Sequence, residues 1–261
     1  VEIPMSVQSS RVDVTTLARF ESSSAPRLAP TGAAIERVVE SLRKAQRPVL
    51  WLGHGIRLSG ATDRLPGLID ELDIPALVSW AGIDMLDSNH PRVFGRAGVY
   101  GQRAANFVLQ NSDYVLAIGN RMAIPQVGYD LSELARGANI DVVDIDETEG
   151  CKLGERVRDF IHADAGAFID ALSIAAAQGI GAKAEWLARC EHYREEFPWI
   201  GPEHADQGGF INSYRFMERL NRFFKPGQMV VTDMGTALLC GHQVLKFEPG
   251  QRMMTSTGLG E

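Results

Sequence analysis

The stretch "VVTDMGTALLCGHQ" joins a β-rich run to a helix-forming one through Asp233, Gly235 and Thr236. A strand-to-helix turn of this kind offers backbone N–H groups and a hydroxyl to an anionic oxygen. Taken alone, a capped turn without a ligand reads the same way. "TSTGLGE", further on, has the same character, and two such turns in successive units of one sheet would face a common crevice. "WLGHGIRLSG" is a third turn of the type, with Gly53, His54 and Gly55. Its spacing misses the dinucleotide fingerprint, because Leu58 stands where the third glycine of GxGxxG belongs and the next glycine is Gly60. A tight turn without a ligand accounts for these glycines equally well. "VVDIDETEG" places Asp144 and Asp146 at the end of a strand, the edge where open parallel sheets bind ligands and where a carboxylate can accept from a ribose hydroxyl. Helix capping is the plain alternative. "AIGNRM" brings Gly119, Asn120 and Arg121 to that edge, and "FGRAGVYGQRAAN" adds Arg96, Gln102 and Arg103. Together these loops describe a nucleotide-sized crevice, although an interdomain packing edge also uses Gly and Arg.

Other chemistry is poorly represented. His54, His90, His162, His192, His204 and His242 form no HxH or HExxH spacing, and none accompanies a Ser in a nucleophile elbow. Cys151, Cys190 and Cys240 are far apart, with no CxxC, so neither a disulfide framework nor a zinc site is indicated.

The elements that must position these turns follow from periodicity. Ile35, Val38, Val39 and Leu42 recur at i, i+3, i+4, i+7 in "AAIERVVESLRKA", and Leu65, Leu68, Ile69 and Leu72 repeat that spacing, with Ser59 or Thr62 as N-cap. Between and after them lie "RPVLWLG" and "PALVSW" as strands, then "QRAANFVLQNS" (helix), "DYVLAIG" (strand), "DLSELARGA" (short helix), "IDVVDID" (strand) and "DAGAFIDALSIAAAQ" (helix). Near-continuous apolar strands alternating with amphipathic helices predict an α/β fold with a doubly wound parallel sheet. The expected organisation is an extended strand over 1–8, a linker over 9–31, a Rossmann-like domain over 32–178, a second linker over 179–208 and the start of another α/β unit over 209–261. That last unit reads as ending before one βαβ is complete, and residue 1, Val, as a cut end.

Composition narrows the function classes. Hydrophobic residues make up 45% of 261, enough for one large core or two modest ones. A net charge of −7 with scattered basic residues argues against nucleic acid. The longest apolar runs fall far short of the ~20 residues of a membrane span, and the cysteine usage fits a reducing cytoplasm.

With these motifs in place, the sequence resembles the acetolactate synthase-like family of thiamine diphosphate-dependent enzymes. "VEIPMSVQ" resembles the last strand of the family's pyrimidine-binding domain, which usually has Asp where Ser6 stands. "RPVLWLGHGIRLSGA", the run from "IPALVSW" through "AIGNRM", and "IDVVDIDETEG" resemble the central domain, while "VVTDMGTALLCGHQ" and "QRMMTSTGLGE" resemble the entry to the diphosphate-binding domain. The resemblance implies that Gly235, Thr236 and Ala237 approach the cofactor diphosphate, and that Gly258, Leu259 and Gly260 line its aminopyrimidine. It implies thiamine diphosphate with Mg2+, a 2-oxo acid or aldehyde substrate, and a homodimer or homotetramer. The chain then reads as a piece of such a decarboxylase or carboligase, inactive alone. No residue of this chain is assigned a catalytic or metal-ligating role, since the family's metal motif and its pyrimidine-protonating glutamate find no counterpart in the quoted segments. Family members hold FAD, ADP or nothing in the central domain. This sequence departs from the FAD form, with His54 inside the glycine run and "GNRMAIPQ" in place of an acid-bearing segment; an adenine nucleotide across Gly53, Gly119 and Asp144 is the remaining expectation. The competing reading is a stand-alone nucleotide-binding module without catalysis.

Overall fold

The structure, a computed structural model, describes residues 4–19, 27–233 and 235–255. Its first element, α1 (Met5–Gln8), is one exposed helical turn in the second half of the span 1–8, where a strand is expected; residues 1–3 of that span lie outside the described residues. A strand must pair its N–H and C=O groups along a ladder; this segment instead bonds locally, Val7 N–H and Gln8 N–H both donating to Pro4 O. Helix α2 (Gly32–Lys44) begins at Thr31, whose hydroxyl accepts from Ala34 N–H, and buries the expected stripe of Ile35, Val38, Val39 and Leu42.

Strand β1 (Pro48–Leu52) leads into the short α3 (Gly55–Leu58), a 3-10 turn at Thr62–Arg64 and α4 (Leu65–Leu72). Neither Ser59 nor Thr62 caps α4. Its start is set by Pro66 in the first turn, where a missing N–H costs nothing, while Ser59 Oγ donates back to Ile56 O at the end of α3. There follow β2 (Ala76–Val78), α5 (Arg103–Asn111), β3 (Tyr114–Ile118), α6 (Ile124–Val127), β4 (Asn139–Asp144), α7 (Glu147–Cys151), β5 (Val157–His162) and α8 (Ala165–Ala176). The short helix expected near 130–138 is only a 3-10 turn, Leu131–Glu133.

All five strands are parallel, in the order β2-β1-β3-β4-β5. Period-2 geometry sends Leu50 and Leu52 of β1 to one face, where they meet α2, α4 and α8, and sends Val49 and Trp51 to the other, against α5 and the loops after β3. Helices on both faces make the sheet doubly wound, as the alternation predicted. Strand β5 lies at the edge, only Ile161 is fully buried, and its charged residues hid it from an apolar-run criterion.

The segment 179–208 is not a bare linker. It contains α9 (Ala184–Glu196), which buries Trp186, Leu187 and Cys190, the first and last of them in the core on the second face of the sheet. Trp186 Nε1–H donates to Pro48 O at 3.0 Å, and Phe107 of α5 stacks on Tyr193 and Phe197. Then come α10 (Ser213–Asn221), β6 (Met229–Thr232), α11 (Thr236–Val244) and β7 (Arg252–Thr255). Strands β6 and β7 pair in parallel, so one βαβ unit is complete, contrary to the sequence expectation. Its small core of Leu245, Phe247 and Met253 is closed by Ile83 from the sheet domain.

Candidate functional site

Helix α11 opens on Gly235, at φ 94° and ψ −156°, a conformation that side chains disfavour. Gly235, Thr236 and Ala237 are all exposed, the first turn contains no acidic side chain, and a Cβ on Gly235 would meet nothing within 4 Å among the described residues. The first-turn N–H groups of a helix lack intrahelical acceptors and lie at the positive end of its dipole. Among the described residues nothing lies against the Gly235 position, so these N–H groups are open to an anionic group from that side. Gly258, Leu259 and Gly260 lie outside the described residues.

The rest of the unit is fixed to the sheet domain by buried polar groups from residues 79–102. Asp84, nearly inaccessible, accepts from Arg57 Nη2 at 2.5 Å, from Arg252 Nε at 3.0 Å and from Met253 N–H at 2.8 Å. Ser88 and Phe247 exchange two bonds, Ser88 N–H to Phe247 O at 2.8 Å and Phe247 N–H to Ser88 Oγ at 2.9 Å. His242, buried in α11, lies with its ring tilted against that of Trp80, the centroids 5.3 Å apart. Sequence reasoning missed Asp84 and Ser88. A solvent-facing loop would carry the same residue types, and only the fold shows what lies opposite them.

The nucleotide candidates do converge on one edge, but they are engaged with one another. Gly53 and Gly119 follow the last β1–β3 register pair, Leu52 and Ile118. A Cβ on Gly53 would lie 2.1 Å from Gly119 O, and one on Gly119 2.9 Å from Gly55 Cα. Gly55 N–H donates to Gly119 O at 2.9 Å. These glycines make room for each other's backbone. His54 Nδ1 bonds Ala81 O at 2.7 Å. Asn120 is buried, its Oδ1 accepting from Met122 N–H while its Nδ2 has no partner among the described residues. Arg121, largely exposed, pairs with Glu149. Asp146 caps α7 by accepting from Thr148 N–H and Oγ1–H. Asp144 accepts from Asp146 N–H, and burial in the first place raises its pKa. Arg96 and Gln102 turn toward α11, whereas Arg103 pairs with Glu203. A cleft of about 740 Å³ between the two units, lined by residues including Trp199, Arg222 and Lys246, involves none of the site candidates.

The chain matches the family described as thiamine pyrophosphate enzyme, central domain, over residues 35–172, more than half its length. It belongs to that family. Among curated relatives it is 27% identical to the acetolactate synthase isozyme 2 large subunit of Escherichia coli, over 87% of this chain and 40% of that one. It is likewise 27% identical to the isozyme 1 large subunit of the same organism, over 100% of this chain and 44% of that one. Similarity extends to the pyruvate oxidase of Lactiplantibacillus plantarum, 25% identical over 87% of this chain and 36% of that protein. The chain thus spans about two fifths of the length of these relatives. Among the described residues no helix is long and apolar enough to cross a membrane.

Proposed function

We propose that this chain contributes to a thiamine diphosphate-dependent 2-oxo acid decarboxylase or carboligase of acetolactate synthase-like type, and that Gly235, Thr236 and Ala237 receive the cofactor's diphosphate. The observation that carries the reading is the exposed, acid-free N-terminus of α11 behind a positive-φ glycine, in a chain whose sheet domain belongs to the family. When bound, the cofactor supplies the nucleophilic carbon and the electron sink for loss of CO2. The chain's own part is binding and orientation. First-turn N–H groups donate to phosphate oxygens, Thr236 adds a hydroxyl, and the absence of a side chain at Gly235 lets the anion approach. Gly258, Leu259 and Gly260 are proposed to flank the aminopyrimidine. No residue of this chain is proposed as a ligand to Mg2+. The remaining parts of the active site are proposed to come from further residues beyond those of this chain, in a homodimer or homotetramer, and the chain by itself is expected to be inactive.

An adenine nucleotide, ADP or FAD, in the sheet domain has less support. The β1/β3 switch point is the right place for one, yet the Gly53, Gly55 and Gly119 backbones there are packed against one another.

Calorimetric titration of the purified chain tests both readings. Thiamine diphosphate with Mg2+ is expected to bind the wild type and to lose binding in Ala237→Asp, which sets a like charge at the diphosphate turn. Binding unaffected by that substitution, or seen only with ADP or FAD, would overturn the assignment.

A further inference from the structure

The glycine-bearing loop 95–102 answers to another role than the crevice for which its Arg and Gln first qualified it. We infer that Gln102 and Arg96 are positioning residues for α11: they cap its last turn and thereby fix the axis along which its N-terminal N–H groups point. The last carbonyls of a helix lack intrahelical donors and carry its negative end. In α11 the donors come from the other unit. Gln102 Nε2–H donates to Gln243 O at 2.6 Å, and Arg96 Nη2–H to Leu245 O, the C-cap, at 3.2 Å.

Arg96 is 1% exposed and forms no ion pair with any described residue. A buried cation without a carboxylate is costly to desolvate, so the C-terminal end of α11 is its principal electrostatic compensation, helped by Trp199, whose ring lies 4.6 Å from the guanidinium. Burial holds the Arg96 pKa down at about 9. Gln102 is itself held, its Oε1 accepting from Arg96 N–H at 2.8 Å. Gly95, at φ +104°, is needed there because a Cβ would fall 2.0 Å from that Oε1. The grip is returned by Gln243, whose Nε2–H donates to Tyr100 O at 2.7 Å and whose Oε1 accepts from Tyr214 OH at 2.6 Å. One side chain of the helix, one of its carbonyls and the carbonyl of its C-cap residue are thus tied to a single loop at the edge of the sheet domain.

The effect on the cofactor rests on the proposed diphosphate site; the capping does not. The test is hydrogen exchange on the full chain, with thiamine diphosphate titration in the presence of Mg2+, for Gln102→Glu, Arg96→Met and Arg96→Lys. Glu at 102 keeps the acceptor for Arg96 N–H and removes the donor to Gln243 O. The α11 amides are expected to exchange roughly tenfold faster in Gln102→Glu and Arg96→Met, with β1 and β3 amides unchanged and Arg96→Lys close to wild type. Cofactor affinity is expected to fall by a similar factor. Unchanged α11 exchange in both loss variants overturns the inference, as does equal loosening of β1 and β3, which would mean general destabilisation. Loosened α11 together with no cofactor binding by any variant, wild type included, upholds the positioning and overturns the diphosphate reading instead.

Discussion

At the level of single residues, His242 has the clearest consequence for behaviour in solution. Its Nδ1–H donates to Leu238 O at 2.9 Å, and Nε2 has no partner among the described residues. Burial above all, with Arg96 adding repulsion and Asp84 opposing it, lowers its pKa from 6.5 to about 4. The folded form therefore holds the ring neutral, and the unfolded chain takes up the proton first. The resulting stability is fully present above pH 6.5 and is lost as pH falls toward 4, by about 3 kcal/mol across that window. Urea midpoints measured through this range should decline, and His242→Gln should flatten the decline; a profile identical to wild type would remove His242 as the cause. Little of this was legible in the sequence, because a His beside Cys and Gly in "LLCGHQ" looks the same whether solvated or buried. Asp146 was more readable: an acid just before "ETEG" is a natural cap, and it does cap α7. Gly53 and Gly55 carried a true signal of close approach, but their partner Gly119 lies too far along the chain for local spacing to show that the approach is to backbone.

Among the elements, those with a clear apolar period were legible: α2, α8 and strands β1 to β4 lie where the pattern put them. Strand β5 and helix α9 were not, for opposite reasons. An edge strand buries one flank, so Arg158 and Asp159 interrupt its apolar character; Arg158 reaches back to the buried Asp141, which also accepts from Tyr114 OH at 2.8 Å. Helix α9 buries only Trp186, Leu187 and Cys190 among many charged residues, and the turn-rich run after it weighed toward a linker. Its contribution to stability is nonetheless substantial. Trp186 is almost inaccessible, so Trp186→Ala should destabilise the chain by about 3–5 kcal/mol in chemical denaturation. A change below ~1 kcal/mol would mean that α9 rests on the sheet without supporting it.

For the whole molecule, the sheet domain and the βαβ unit share one contact zone built around Asp84. Removing one member of a buried, hydrogen-bonded ion pair costs about 3–5 kcal/mol, and here three donors from two units depend on a single carboxylate. The wild type should unfold in one transition followed equally by tryptophan fluorescence and far-UV circular dichroism. Asp84→Ala should separate the transitions, with α10, α11, β6 and β7 lost first. Coincident transitions in the variant would show the interface to be unnecessary for cooperativity.

The contact between Gly53 and Gly119 bears on how such chains can change. Glycine has no side chain left to trim, so the switch-point crevice cannot be widened by substituting smaller residues; it could be opened only by moving one loop bodily away from the other. The two positions are therefore tied together. A substitution at Gly53 becomes tolerable only after the loop at Gly119 has shifted, and one at Gly119 only after the turn at Gly55 and Ile56 has moved, so a saturation library at both sites should return glycine at each. For ligand engineering in this sheet, loop length is the adjustable variable, and residue identity at the edge is not.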